Sequence, residues 1–336
     1  MRNKRRLRKK RQLEKWQVDL RNCVRALGDL EKYVHLKDKE LLQKVVKNMR
    51  LAITPHTLSL IDFGNLKDPI LLMCVPQAAE LDVKSGESDD PTGDEVNSPI
   101  PFLVRKYQDR VLVCVNYSCA QYCRFCFRRR KTGCARVGAT SEDRRRIIGY
   151  ISTHPEIEEV ILTGGDPLIL PDNQIENWLK AIRGVPNIKR VRIHTRVLVT
   201  LPSRITNNLV AVLKRNMDAT RPIYVVTHFN HPREIVEANI RAIAKLADAG
   251  IVLRNQNPLL AGINDDAKTL EELYRRLFEI RVAPYYLHHL DRAKGIGHFR
   301  VPIKRGRKIM NKLRAKLSNS MLPRYVIDSP EGKSEL

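Results

Sequence analysis

Val111-Leu-Val-Cys-Val-Asn-Tyr-Ser-Cys119-Ala-Gln-Tyr-Cys123-Arg-Phe-Cys126 joins a short β-branched run to three cysteines spaced C-x-x-x-C-x-x-C. The run reads as a buried strand, and the loop after it carries chemistry. Three thiolates at this spacing can wrap one corner of an iron–sulfur cluster; in a four-iron cube they leave the fourth iron without a protein ligand. A structural zinc site, with Cys134 or a histidine as fourth ligand, is the competing reading. The paired C-x-x-C units usual for zinc are missing here.

The same unit recurs along the chain. β-branched runs at Val111–Val115, Val160–Thr163, Val191–His194, Tyr224–Phe229, Ile251–Asn255 and Ala283–Leu290 are separated by segments long enough for a crossover helix. This pattern predicts parallel βαβ units in an α/β fold, either a barrel or an open doubly wound sheet. A polar cluster stands at or just beyond the C-terminal end of each run. The clusters are the cysteines, Gly164-Gly-Asp-Pro167, His194-Thr-Arg196, His228-Phe-Asn-His-Pro232, Asn255-Gln-Asn257 and Asp291. Parallel α/β folds bind ligands at that edge, so six distant clusters are expected to converge on one cavity.

Outside this region the chain reads as scaffold. Leu13, Trp16, Leu20, Val24, Leu27 and Leu30 recur at three- and four-residue spacing within 10–33, and 38–50 is similar, which predicts amphipathic helices packed on a larger body. Ala79 to Pro101 turns to Asp, Ser, Gly and Pro and reads as a loop or linker. The 336 residues thus divide into a basic arm and helical extension (1–100), the barrel-like domain (101–303) and a C-terminal helix with the segment after it (304–336). The seven cysteines are odd in number and follow no apolar signal segment, pointing to a reducing, cytoplasmic compartment. No apolar run approaches the roughly 18 residues that a membrane span requires. The net charge of +24 would attract nucleic acid, anionic membrane or an acidic protein. About a third of it lies in residues 1–16, with nine Lys/Arg against one Glu. A second concentration, Arg124, Arg128, Arg129, Arg130, Lys131 and Arg136, flanks the cysteines, where cations stabilise a thiolate-bound cluster and can hold anionic cofactors.

From about residue 50 onward the chain resembles the lysine 2,3-aminomutase family of radical S-adenosylmethionine (SAM), pyridoxal-phosphate (PLP) enzymes. The stretches that carry the resemblance are Ile53–Asp62, Tyr107–Leu112, Cys119–Arg130, Gly164–Asp166, Thr227–Pro232, Gly295–Arg300 and Tyr325–Pro330, in that order. It implies a partial (β/α)6 radical SAM barrel with a helical N-terminal extension. Cys119, Cys123 and Cys126 are implied to hold a 4Fe–4S cluster whose open iron chelates SAM. Gly164, Gly165 and Asp166 are implied to lie against the methionine end of SAM, and His228 and Gln256 on the cofactor side of the cavity. Arg110 is implied to face the PLP phosphate, an anion suited to a guanidinium fork. Lys333, in Asp328-Ser-Pro-Glu-Gly-Lys333, is implied to anchor PLP covalently, although the glycine run before it is shorter than the family's and is interrupted by Glu331.

The resemblance also implies a substrate. Arg128 matches the family arginine that pairs with the α-carboxylate, and Asp291 and Asp328 match the aspartates that hold the distal ammonium of lysine. A relative that uses glutamate would need neutral or cationic groups there, because facing carboxylates repel when buried. The implied reaction converts L-lysine to β-lysine by a 1,2-amino shift on PLP, started by a 5′-deoxyadenosyl radical. A one-electron donor such as flavodoxin or ferredoxin is implied. The product would be a free metabolite or would be attached to elongation factor P, a use suggested by the segment Ala283–Asp291 and the few residues beyond Lys333. The charge keeps another class in play, a radical SAM RNA-modifying enzyme without PLP, and a zinc-stabilised nucleic-acid-binding module is a third.

Overall fold

The computed structural model describes residues 13–132 and 138–336; most of the basic arm lies outside these residues, as do Cys134 and Arg136. Nine strands form one sheet in chain order: β1 (Leu103–Val104), β2 (Arg110–Asn116), β3 (Glu159–Gly164), β4 (Arg190–His194), β5 (Ile223–Thr227), β6 (Val252–Leu259), β7 (Ala283–His289), β8 (Arg324–Ser329) and β9 (Gly332–Glu335). β2 to β7 are the six strands expected, and each pairs parallel with the next. β8 adds a seventh parallel strand, in register from Tyr286↔Arg324 to His288↔Val326. β1 and β9 run antiparallel at the two edges.

A helix fills each parallel crossover. The helix after β3, Asp172–Arg183, buries Ile175, Trp178, Leu179 and Ile182, and the one after β6, Ala267–Glu279, buries Leu270, Leu273, Tyr274 and Leu277. This i, i+3, i+4, i+7 stripe is the face that covers the sheet. Thr206 and Asp266 cap the helices they precede by accepting backbone N–H bonds, which satisfies donors that the first turn leaves open. Helices and outward-facing strand residues share one continuous apolar core. Among the described residues no helix is long and apolar enough to cross a membrane.

The sheet curls until its edges face one another, and the β8–β9 hairpin reaches the loop before β2. Asn97 donates to the carbonyl of Pro330 (3.2 Å), Lys106 to that of Ser329 (3.3 Å), and the Lys333 backbone N–H to the Tyr107 hydroxyl (2.8 Å). The N-terminal layer closes a different side. Leu30, Val45, Ile53, Ile70 and Met73 are buried, and a separate apolar cluster joins residues 24–75 to Phe125, Leu260, Leu290 and Phe299 in loops beyond the strands' C-terminal ends. The expected amphipathic helices are shorter than their periodicity suggests: Lys15–Arg21, Leu27–Leu30 and Lys39–Asn48. Val24 interrupts the first stretch by exchanging backbone hydrogen bonds with Ile53 (2.9 and 3.0 Å).

Candidate active site

The three cysteines lie on the loop after β2 and are half-buried. Met49, Ala52 and Tyr122 pack against Cys119 and Cys126, while Arg196 Nη1 donates to Cys123 Sγ at 3.0 Å. Burial pushes the Cys126 thiol up to about 11 and that of Cys119 well above its ordinary value, so thiolates form here only with compensating positive charge. A metal cluster supplies that charge. Among the described residues no three His, Cys, Asp or Glu side chains gather tightly enough for a single metal ion. Three thiols on one loop, with an arginine N–H already on one of them, are a donor set that fits an anionic cluster.

Several of the loop's own arginines anchor it, a role beside the cofactor-holding one expected of that cationic run. Arg124, fully buried, bonds Glu80 through Nε (2.8 Å) and Nη2 (2.6 Å) and the carbonyls of Met49 and Arg50 through Nη1. Arg129 shares the same carboxylate at 2.6 Å, Arg128 pairs with Asp94 (2.9 Å), and Arg130 pairs with Glu95. These carboxylates come from the stretch read as a linker, so that stretch neutralises much of the cationic run and forms a wall of the site. Glu80→Ala leaves Arg124 buried without its counter-charge, a loss on the order of 3–5 kcal/mol. Chemical denaturation should show it as a lower midpoint at unchanged m-value.

Gly164 and Gly165 have a structural reason that the sequence does not reveal. A Cβ on Gly165 would stand 2.2 Å from the Ser118 carbonyl, and one on Gly164 would stand 2.3 Å from that of Asn116. The end of β3 is sewn to the cysteine loop there, with Gly165 N–H on Asn116 O (2.6 Å) and Asp166 N–H on Ser118 O (2.8 Å). Asp166 turns its carboxylate to the neighbouring strand end, accepting from Thr195 Oγ1 (2.7 Å), Arg196 N (2.7 Å) and Leu168 N (3.1 Å). This carboxylate therefore positions Arg196. The implied SAM residues remain next to the cysteine loop, where the buried Gln121 Oε1 has no partner among the described residues.

Inside the barrel, Gln256 Nε2 lies 3.3 Å from His194 Nδ1 and 3.4 Å from His228 Nε2. Burial pulls His228 down to about 3 and His194 well below its ordinary value, so both rings are neutral. The amine of Lys333 bonds both oxygens of Asp328 (2.8 and 2.6 Å), stands 3.3 Å from His288 Nδ1 and lies 4.9 Å from the centre of the Tyr286 ring. Asp328 and Lys333 are directly opposed on β8 and β9, so the shortened loop is a tight hairpin. Arg110 sits at the beginning of β2, away from the edge that carries the cysteines. Its guanidinium stacks 3.6 Å from the Tyr107 ring centre, and Tyr107 binds the Lys333 backbone, so the implied phosphate and anchor residues meet through Tyr107. His194 Nε2 and His288 Nε2 are buried without a partner among the described residues. An amine, aromatic rings and unpartnered buried nitrogens fit PLP, while the Arg110 guanidinium is paired with Asp109 (2.7 Å) and would have to share that contact with a phosphate.

Asp291, just beyond β7, and Asp328 both line a cleft of about 870 Å³, shared with His289, Arg300, Ser88 and Asp90. Burial and the Asp328 charge push the Asp291 carboxyl up to about 7. Asp328 behaves oppositely: burial opposes its charge, but His288 and Lys333 outweigh that and hold its carboxyl below the usual range. Arg128 also donates to Thr163 Oγ1 at 3.4 Å. The sequence carries little signal for three further residues: Tyr107 and His288 stand three residues before Arg110 and Asp291, and nothing marks Asp94 within the stretch that reads as a linker.

Residues 113–277 match the family model of the radical SAM superfamily. The chain is 40% identical over 320 residues to the L-lysine 2,3-aminomutase of Acetoanaerobium sticklandii, covering 95% of this chain and 76% of the relative. It is 37% identical over 332 residues to the L-lysine 2,3-aminomutase of Buchnera aphidicola, covering 98% and 96%. It is also 39% identical over 320 residues to the glutamate 2,3-aminomutase of Clostridioides difficile, covering 95% and 74%.

Proposed function

The chain belongs to the lysine 2,3-aminomutase family, and from that premise we propose that it is a radical SAM isomerase converting L-lysine to β-lysine. A 39% identical relative is named for glutamate, so membership alone leaves the choice of amino acid to the site. The observation that carries lysine is the carboxylate pair Asp291 and Asp328 in one cleft, with Asp328 close enough to raise the Asp291 carboxyl. Two adjacent carboxylates attract a distal ammonium and repel a distal carboxylate.

When bound, the cluster and SAM supply the hydrogen-abstracting radical and PLP supplies the π system that carries the amino shift. The chain supplies placement. Cys119, Cys123 and Cys126 would hold the cluster, with Gly164 and Gly165 beside it for SAM. Lys333 and Arg110 would hold PLP, with His228 and Gln256 on the same cavity. Arg128, fixed by Asp94 and Thr163, is the cation for the substrate's α-carboxylate. The N-terminal apolar layer over the strand ends supports exclusion of water. Flavodoxin- or ferredoxin-type donors suit the one-electron requirement. The strand Ala283–His289, resembling that of aminomutases serving elongation factor P, supports that destination for the product.

The test is anaerobic turnover of L-lysine and L-glutamate by reconstituted enzyme, with the products separated and weighed by mass spectrometry. β-Lysine should dominate, and preferential turnover of glutamate overturns the proposal. Asp291→Asn should lower kcat/KM for lysine by about two decades or more, from a lost buried charge partner worth on the order of 3–5 kcal/mol. Asp291 gains its proton as pH falls through about 7, and it must be ionised to attract ammonium. In the wild type kcat/KM should therefore fall below that pH, and this limb should vanish in Asp291→Asn.

A further inference from the structure

Arg196 stands two residues beyond β4, in a cluster that none of the roles above absorbs. Its guanidinium reaches two partners at once: Nη1 donates to Cys123 Sγ at 3.0 Å and Nη2 to Glu234 Oε1 at 2.5 Å. Nε donates to the His228 carbonyl (3.2 Å), and the guanidinium carbon lies 5.4 Å from the centre of the Phe125 ring, two residues beyond Cys123. Both members of the pair are inside the protein, with side-chain exposures of 11% for Arg196 and 3% for Glu234. The placement is built from both ends. Asp166 holds the Arg196 backbone and Thr195, while the second Glu234 oxygen accepts from Asn230 N (2.6 Å) and His231 N (3.1 Å). The other two cysteines have a different setting, packed against Met49, Ala52 and Tyr122.

A cluster that accepts one electron from an external donor becomes one unit more negative. A buried cation with an N–H on a ligand sulfur stabilises that state more than the oxidised one, and hydrogen bonds to the sulfurs raise the reduction potential. A carboxylate behind the cation partly cancels it. We propose that Arg196 and Glu234 act through Cys123 as a tuning pair with opposite signs, Arg196 raising the reduction potential of the cluster and Glu234 limiting that rise. Neither touches the reacting atoms, so both are positioning residues. The proposal rests on the reading that the three cysteines hold a cluster.

The experiment is a redox titration of the anaerobically reconstituted full chain without substrate, following the spin signal of the reduced cluster, with iron content measured on each sample. Arg196→Gln should shift the midpoint to lower potential, with the reduced-to-oxidised ratio at fixed poise falling about tenfold, or about 59 mV for one electron. Arg196→Lys keeps the charge and should shift less. Glu234→Gln should move the midpoint the other way, to higher potential, a reversal that a merely structural defect does not produce. Should Arg196→Gln fail to hold iron, the upward shift in Glu234→Gln still decides the matter. Iron-loaded variants whose midpoints equal the wild type, or both move the same way, overturn the proposal. A wild type that takes up no iron removes the cluster reading and the proposal together.

Discussion

Lys333→Ala is expected to bind the metal cluster and cleave SAM, yet to lose lysine isomerisation by at least about 10⁴-fold, the scale on which removing a covalent catalytic group acts. The amine is held by both oxygens of Asp328 with His288 beside it, on a hairpin whose backbone Tyr107 fixes. A lysine that anchors PLP needs a defined position more than a flexible tether. Borohydride should fix the cofactor to this side chain as a secondary amine. Mass spectrometry of the digested protein should then find the phosphopyridoxyl mass on the peptide containing Asp328 and Lys333, and find none in the variant. A label on another lysine would move the anchor elsewhere. SAM cleavage with no label at all would favour the RNA-modifying class, which needs no PLP.

Replacing any one of Cys119, Cys123 or Cys126 by Ala is expected to abolish iron-dependent SAM cleavage. Cys23→Ala and Cys74→Ala are the informative controls, because those thiols are buried and bond carbonyls, although Cys23 also reaches Ala120 O in the cysteine loop (3.7 Å). Cys23 Sγ donates to Asp19 O (3.5 Å) and Cys74 Sγ to Ile70 O (3.1 Å), and burial raises both thiols above their ordinary value. Thiols of that kind are inert packing groups. The control variants should keep full iron content and cleavage. Zinc in place of iron after anaerobic reconstitution of the wild type would sink the assignment of the three-cysteine loop.

β2, β3 and β5 are mostly apolar runs and could be read directly, while β4, β6 and β7 carry polar residues toward the site and were read from their β-branched or aromatic residues and their spacing along the chain. β8 could not be read in either way. Tyr325-Val-Ile has the right composition, but it leads straight into the Asp328–Lys333 motif and draws attention as chemistry before architecture. β9, Gly-Lys-Ser-Glu, has no apolar residue, and β1 has two residues, so neither carries a period. The cysteines stand out by their spacing and Asp291 by its place beyond the sixth run, whereas Lys333 and Asp328 are singled out by the family resemblance alone. Their supports do not stand out. Arg124 finds Glu80 44 positions earlier and Arg128 finds Asp94 34 positions earlier, pairings that the chain makes only after folding. Gly164 and Gly165 were found for the right residue type, but the space that they leave is taken by the chain's own backbone.

The order β1 to β9 is also the order in which a ribosome would release these strands. No strand has to be threaded between two neighbours already paired, so the sheet can lengthen at one edge while synthesis continues. Slow, non-local pairing is where parallel sheets are exposed to aggregation, and growth of this kind confines each search to the next strand. The cysteine loop follows the second strand and Lys333 lies on the ninth, so a partly emerged chain would present its thiols well before its cofactor amine.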